Sequence, residues 1–110
     1  MDRKKAELLQ GTLELLILRI LRSGQLNGWD MMQRIRLVSG DVIKVSAGSL
    51  YPALHRLESR RLVLSEWDVS ENNRRAKFYK LTPAGLRQLE AERETWERFI
   101  GAVETIMRES

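Results

Sequence analysis

The sequence predicts a mainly α fold that carries one small β-hairpin and ends in a long helix. Three observations predict it. Leucine and isoleucine recur at helical spacing between Leu8 and Leu57. Two short runs of strand composition, Leu62–Trp67 and Ala76–Leu81, flank a polar loop. Apolar residues at spacings of three and four then continue from Leu86 to Met107. At 110 residues, with 43% hydrophobic and 31% charged side chains, the chain suits one globular domain or one domain with an appendage.

Residues 1–7 are charged and predicted to be mobile. From Leu8 to Leu21 more than one helical face is apolar, as expected of a helix sandwiched between others, and this first helix is placed at about residues 10–23 with Ser23-Gly24 ending it. Asn27 or Gly28 opens a second helix, expected to turn Trp29, Met32, Ile35 and Val38 inward and to stop at Ser39-Gly40. Ile43–Val45 reads as a short extended piece. A third helix runs to about Arg60, with Leu50, Leu54 and Leu57 fixing its buried face. It has two candidate caps. Ser46 leaves Pro52 beyond the first turn, where it deletes a helical hydrogen bond, whereas Ser49 brings Pro52 into the tolerant first turn.

In the hairpin, Asp68–Arg75 is the loop, and Asn72-Asn73 at its tip suits positive φ. Thr82 is a good N-cap for the last helix and Pro83 its favoured first residue. Leu86, Leu89, Arg93, Trp96, Ile100, Val103 and Met107 form a heptad seam with one polar member. So short a chain leaves this helix no partner of its own, so it is predicted to pack against a second copy. The organisation is therefore a domain over residues 1–82 and a dimerisation helix over residues 83–110.

Charge divides the same way. Residues 1–82 carry 15 Lys and Arg against 9 Asp and Glu, and residues 83–110 carry 4 against 6. The first part is suited to a polyanion and the tail to another role. The chain has no cysteine, which excludes disulfides, thiol catalysis and thiolate metal sites and fits a reducing cytoplasm. Glu14 and Arg19 interrupt the apolar stretch after Met1–Lys5, so a secretory signal is not expected, and no apolar run is long enough to span a membrane. His55 is the only histidine, and nothing at suitable spacing completes a metal site or a catalytic triad. Neither an enzyme nor a cofactor is expected.

A helix with a hydroxyl-bearing, basic face beside a basic hairpin outlines a winged helix-turn-helix. Ser46, Ser49, Tyr51, Pro52, His55 and Arg56 are the third-helix residues placed at DNA: hydroxyls near a helix N-terminus suit phosphate oxygens, and His55 and Arg56 suit guanine acceptors. Arg74, Arg75 and Lys77 at the hairpin would neutralise phosphates, and Lys4 and Lys5 would add backbone contacts. Trp29 and Trp67 read as domain packing.

The order Leu13–Leu21, then Gly-Ser-Leu-Tyr-Pro-x-Leu-x-Arg-Leu-Glu at Gly48–Glu58, then Tyr-x-Leu-Thr-x-x-Gly at Tyr79–Gly85 resembles the PadR-type transcriptional regulators, in their shorter branch with a single C-terminal helix. The resemblance covers nearly the whole chain. It implies a winged helix-turn-helix dimer that represses transcription, with the third helix in the major groove and the wing at the backbone. It also implies that the terminal helix packs against the partner's first helix, with some members sensing small aromatic compounds at that dimer centre. Leu13, Ile17, Leu86, Leu89, Trp96, Ile100, Val103 and Met107 are the expected dimer residues. Trp96, Phe99, Ile100 and Arg93 are the candidate effector contacts; Trp96 serves equally as interface core, and Arg93 equally pairs with a partner glutamate. Two departures from the family stand out. Arg61 replaces the usual glycine after the recognition helix, where a left-handed cap carries a side-chain penalty, so a differently built turn is expected. Asn72-Asn73 replaces the usual wing glycines.

The reading is thus a cytoplasmic, homodimeric repressor of a double-stranded operator, released by a small aromatic effector. The alternative is a winged-helix protein–protein interaction module without specific DNA binding. RNA binding would call for exposed aromatics, for which Tyr51 and Tyr79 are the support.

Overall fold

The computed structural model describes the backbone of residues 3–109 and the side chains of residues 11–109. Its elements run α1 (Arg3–Arg22), β1 (Leu26–Asn27), α2 (Gly28–Val38), α3 (Ala47–Ser59), β2 (Val63–Val69), β3 (Arg75–Leu81) and α4 (Pro83–Arg108). This is the expected mainly α winged helix with a long terminal helix. α1 starts at Arg3, ahead of the expected residue 10, so the segment expected to be mobile is helical from there. The side chains of Lys4 and Lys5 lie outside the described residues.

The hairpin is part of a three-stranded antiparallel sheet ordered β1-β3-β2, with Leu26 opposite Tyr79 and Val63 opposite Leu81. Its loop is tighter than Asp68–Arg75. Ser70 donates to the Arg74 carbonyl at 2.7 Å, Asn73 donates back to the Ser70 carbonyl at 2.9 Å, and Asn73 alone of the pair takes positive φ, at 57°. That is the three-residue hairpin loop whose last position is left-handed, which asparagine tolerates.

The core gathers Ile17, Leu18 and Leu21 of α1, Met31 of α2, Leu50, Leu54 and Leu57 of α3, Val63 and Tyr79 of the sheet and Leu89 of α4. Each such aliphatic side chain is worth about 1.5–3 kcal/mol when fully buried. In α2 the inward stripe is Met31 and Ile35 with Met32 half-buried, whereas Trp29 is 64% and Val38 70% exposed, against expectation. Trp67 is likewise 59% exposed and does not pack in the domain. The helix carries two overlapping apolar stripes, and only the one containing Met31 meets the core.

α2 and α3 end alike. Past α2, Asp41 donates to the Arg36 carbonyl at 2.9 Å and Gly40 to Leu37 at 3.1 Å, with Gly40 at φ 64°. Past α3, Leu62 donates to Leu57 at 3.0 Å and Arg61 to Glu58 at 2.9 Å, with Arg61 at φ 59°. Each is a Schellman cap, so the turn at Arg61 is the left-handed one and not a different construction. Leu57 and Leu62 are both in the core, and their burial holds Arg61 in that conformation.

α4 is seated on this cap. The Thr82 hydroxyl accepts from Gly85 N–H at 2.9 Å and faces the carbonyls of Arg61 at 2.8 Å and Leu62 at 3.1 Å, while Thr82 N–H donates to Leu62 at 3.1 Å. A Cβ on Gly85 would collide with the Leu62 carbonyl oxygen, so glycine lets the helix start flush against it. The first half of α4 does have an intrachain partner: it packs along α1, burying Leu89. Beyond Trp96 it projects, leaving Phe99, Val103, Ile106 and Met107 exposed.

Candidate nucleic-acid interface

The start of α3 is decided by Ser46, whose hydroxyl accepts from Ser49 N–H at 3.3 Å and lies 3.2 Å from the Ser49 hydroxyl. Pro52 therefore sits inside the helix, where it cannot donate to the Gly48 carbonyl. The helix separates its faces cleanly. Leu50, Ala53, Leu54 and Leu57 are buried, and Ser46, Ser49, Tyr51, Pro52 and His55 all lie on the exposed side.

Arg56 is placed differently. Its Nε donates to Glu14 of α1 at 3.1 Å in a half-buried ion pair, which holds this part of α3 onto α1. Glu58, two residues on, clamps the other side. It accepts from the Ser65 hydroxyl of β2 and lies 3.9 Å from Lys77 Nζ of β3. Lys77 also rests 5.8 Å from the Tyr79 ring centre. Burial, followed by the Glu58 and Tyr51 charges, pushes the Tyr79 phenol above its ordinary pKa, so it remains protonated at neutral pH.

Arg74 and Arg75 are exposed, and the Arg75 guanidinium lies 5.0 Å from the Trp67 ring centre, a contact worth about 0.5–1 kcal/mol at such a site. Between the wing, α3 and the first turn of α2 is an open cleft of about 770 Å³, lined among others by Trp29, Tyr51, Trp67, Arg75, Lys77 and Tyr79. Tyr51 crosses the start of α2 so closely that a Cβ on Gly28 would stand 2.5 Å from its hydroxyl oxygen. The wing cations and the exposed α3 face thus border one surface. Sequence reasoning did not identify Gly28, Glu14 and Glu58 as parts of it, because their roles arise from contacts between elements and leave no periodic signal.

A second depression, about 570 Å³, lies between α1 and α4 and is lined by Thr12, Leu15, Gln88, Ala91, Trp96 and Phe99 among others. The Trp96 and Phe99 rings are 6.4 Å apart and tilted by 46°. Arg93 is turned to Glu97 at 2.9 Å and does not line this groove, and neither does half-buried Ile100. Of the expected dimer residues, Ile17 and Leu89 are 0% and 1% exposed within the chain itself, so their packing partners are internal. Leu13, Trp96 and Ile100 are half-buried, and Leu86, Val103 and Met107 are exposed. Among the described residues no cluster of His, Cys, Asp or Glu is suited to hold a metal, and no helix is long and apolar enough to cross a membrane.

The family model for the transcriptional regulator PadR-like family matches residues 17–91. A 37.1 kDa protein in a transposon of Streptomyces fradiae is 39% identical over 90 residues, covering 82% of this chain and 24% of that protein. The transcriptional regulator Rv3488 of Mycobacterium tuberculosis is 44% identical over 54 residues, covering 49% of this chain and 50% of that protein. The chain thus spans about a quarter and a half of their respective lengths. Among solved structures, a PadR family transcriptional regulator from Eggerthella lenta superposes with a TM-score of 0.75 at 31% identity, covering 97% of this chain and 91% of that one.

Proposed function

The chain belongs to the PadR-like family of transcriptional regulators, and from that premise we propose that it is a homodimeric, sequence-specific repressor of a two-fold operator. The observation that carries the DNA-reading surface is the exposed face Ser46–Ser49–Tyr51–Pro52–His55, on the same surface as the arginines of the wing. In this reading the two α3 helices enter successive major grooves, with half-sites about 34–36 Å apart. Hydroxyls of Ser46 and Ser49 position the backbone, His55 reads base edges, and Arg74, Arg75 and Lys77 neutralise phosphates. Arg56, joined to Glu14 through Nε, sets the seat of α3 on α1, and in this reading its other guanidinium donors serve the operator.

Dimerisation uses the projecting half of α4, whose Trp96, Ile100, Val103 and Met107 need a cover that a partner's α1 around Leu13 supplies. The α1–α4 groove then lies at the dimer centre, where a planar aromatic effector held by Trp96 and Phe99 would shift the spacing of the recognition helices. Selection of duplexes from a random pool, followed by titration across salt concentrations, tests the DNA reading. Each phosphate contact contributes about 0.9 to the slope of log K against log salt, so Arg74→Ala lowers it by about 1.8 for a dimer. If no duplex binds tighter than random DNA at moderate salt, the repressor reading fails. Tryptophan quenching by planar aromatics, abolished by Trp96→Ala, tests the effector site.

A further inference from the structure

Two tryptophans stand uncovered beside the DNA-reading face. Trp29, in the first turn of α2, is 64% exposed and Trp67, on β2, is 59% exposed, and both line the cleft under the wing. A large indole left in water forgoes the burial that makes it useful, and two on one cleft of a small domain mark a surface that something covers. The chemistry of the cleft says what. An indole offers an apolar face and one N–H donor. Lining the same cleft are Arg74, Arg75 and Lys77 from the wing, with Arg75 resting 5.0 Å from the Trp67 ring centre. Two carboxylates also line the cleft, Asp30 from α2 and Glu71 from the wing loop, and these repel a phosphate, leaving the anion to the three wing cations. A ligand that fits is therefore amphiphilic along its length, with anions meeting the wing cations and an apolar ring meeting the indoles. A deoxyribose–phosphate strand alternates those groups. Tyr51 of α3 lines the same cleft, so a strand lying there continues onto the reading face.

We propose that the cleft seats one strand of the operator, with a deoxyribose against the indoles of Trp29 and Trp67 and the flanking phosphates on Arg74, Arg75 and Lys77. This rests on the DNA-binding reading above and adds to it an apolar contact that phosphate neutralisation does not supply. Affinity retained at high salt comes in part from these rings, and Tyr51, pinned across Gly28, forms the floor that keeps the strand at the right depth.

The test uses the full chain with Trp96→Phe, which leaves Trp29 and Trp67 as its indoles, and a dye-labelled duplex from the random-pool selection. Label anisotropy reports binding, and acrylamide quenching of tryptophan on the same sample reports whether the cleft is covered. The expected result is a several-fold fall in quenching that saturates together with the anisotropy. Trp29→Ala and Trp67→Ala each weaken binding several-fold with an unchanged salt slope, whereas Arg75→Gln lowers the slope. Wild-type protein treated the same way guards against a dimer defect from Trp96→Phe, since two of its three indoles report. Saturated anisotropy with unchanged quenching, or alanine variants that bind like the parent, overturns the seat and leaves the DNA reading standing. No anisotropy change with any selected duplex overturns both.

Discussion

Arg61→Gly is expected to stabilise the fold. Arg61 holds φ 59° at the position after the α3 C-cap, where Gly40 holds φ 64° after α2 in the same hydrogen-bonded motif. An L-residue in the left-handed region is disfavoured by roughly 1–2 kcal/mol relative to the right-handed form. Glycine removes that cost but widens the unfolded ensemble, which offsets about 0.4–1 kcal/mol. Losing an exposed cation near a helix C-terminus offsets a further few tenths of a kcal/mol. The net is a stabilisation of roughly 0.5 kcal/mol, or about 2–4 °C in Tm for a domain of this size. The reverse change supplies the control: no atom stands within 4 Å of a Cβ built at Gly40, so Gly40→Ala tests conformation without collision, and should cost about 1 kcal/mol. Urea and thermal unfolding at fixed protein concentration measure both, since the Tm of a self-associating protein depends on concentration. A lower midpoint for Arg61→Gly beside the expected loss for Gly40→Ala would refute the reasoning. The arginine side chain would then make a contact worth more than the backbone strain.

Four other substitutions probe further contacts in the fold. Thr82→Ala removes both the cap on Gly85 N–H and the bond to the Arg61 carbonyl, and should cost about 1–2 kcal/mol by urea unfolding. Gly28→Ala forces the Tyr51 ring off α2; operator affinity measured by anisotropy should fall several-fold, with circular dichroism unchanged in helical content. Tyr79, its pKa raised by burial and then by Glu58 and Tyr51, is protonated in the folded state at pH values where the unfolded chain has begun to ionise. Stability is therefore whole below about pH 10 and falls as pH rises beyond it. Tyr79→Phe should flatten that alkaline decline, and Glu58→Gln should lower the phenol's midpoint in an absorbance titration at alkaline pH.

Sequence periodicity carried most of the fold. The leucine spacing of α3, the strand pair around Asn72-Asn73 and the Thr82-Pro83 start of α4 each concern neighbours in the chain, where period and cap chemistry are direct signals. β1 was invisible because an alternation of period two cannot show in two residues, and its existence depends on Tyr79 and Phe78 across the sheet. Trp67 misled for a related reason. It shares the inward-numbered face with Val63 and Ser65, but the hairpin runs past the body of the domain, so inward stops meaning covered after Ser65. The exposed α3 face was legible from its hydroxyls, whereas the Arg56–Glu14 and Glu58–Lys77 pairs join residues far apart in sequence and required the fold.

The joint at Leu62 is the base of a long pointer. Its single carbonyl meets Thr82 N–H and lies within 3.1 Å of the Thr82 hydroxyl, at the point where α3 has just closed and α4 begins. A helix of the 26 residues Pro83–Arg108 extends about 39 Å. A tilt of roughly 5° at its base therefore carries its tip about 3.4 Å, the length of one base-pair step. The direction of α4 is thus set jointly by this peptide unit and by the packing of its first half along α1. If two copies pair through α4, a change at Thr82, Gly85 or Arg61 that re-angled this helix by that amount would offset the two α3 helices by about one base-pair step, with every residue of the proposed reading face unchanged.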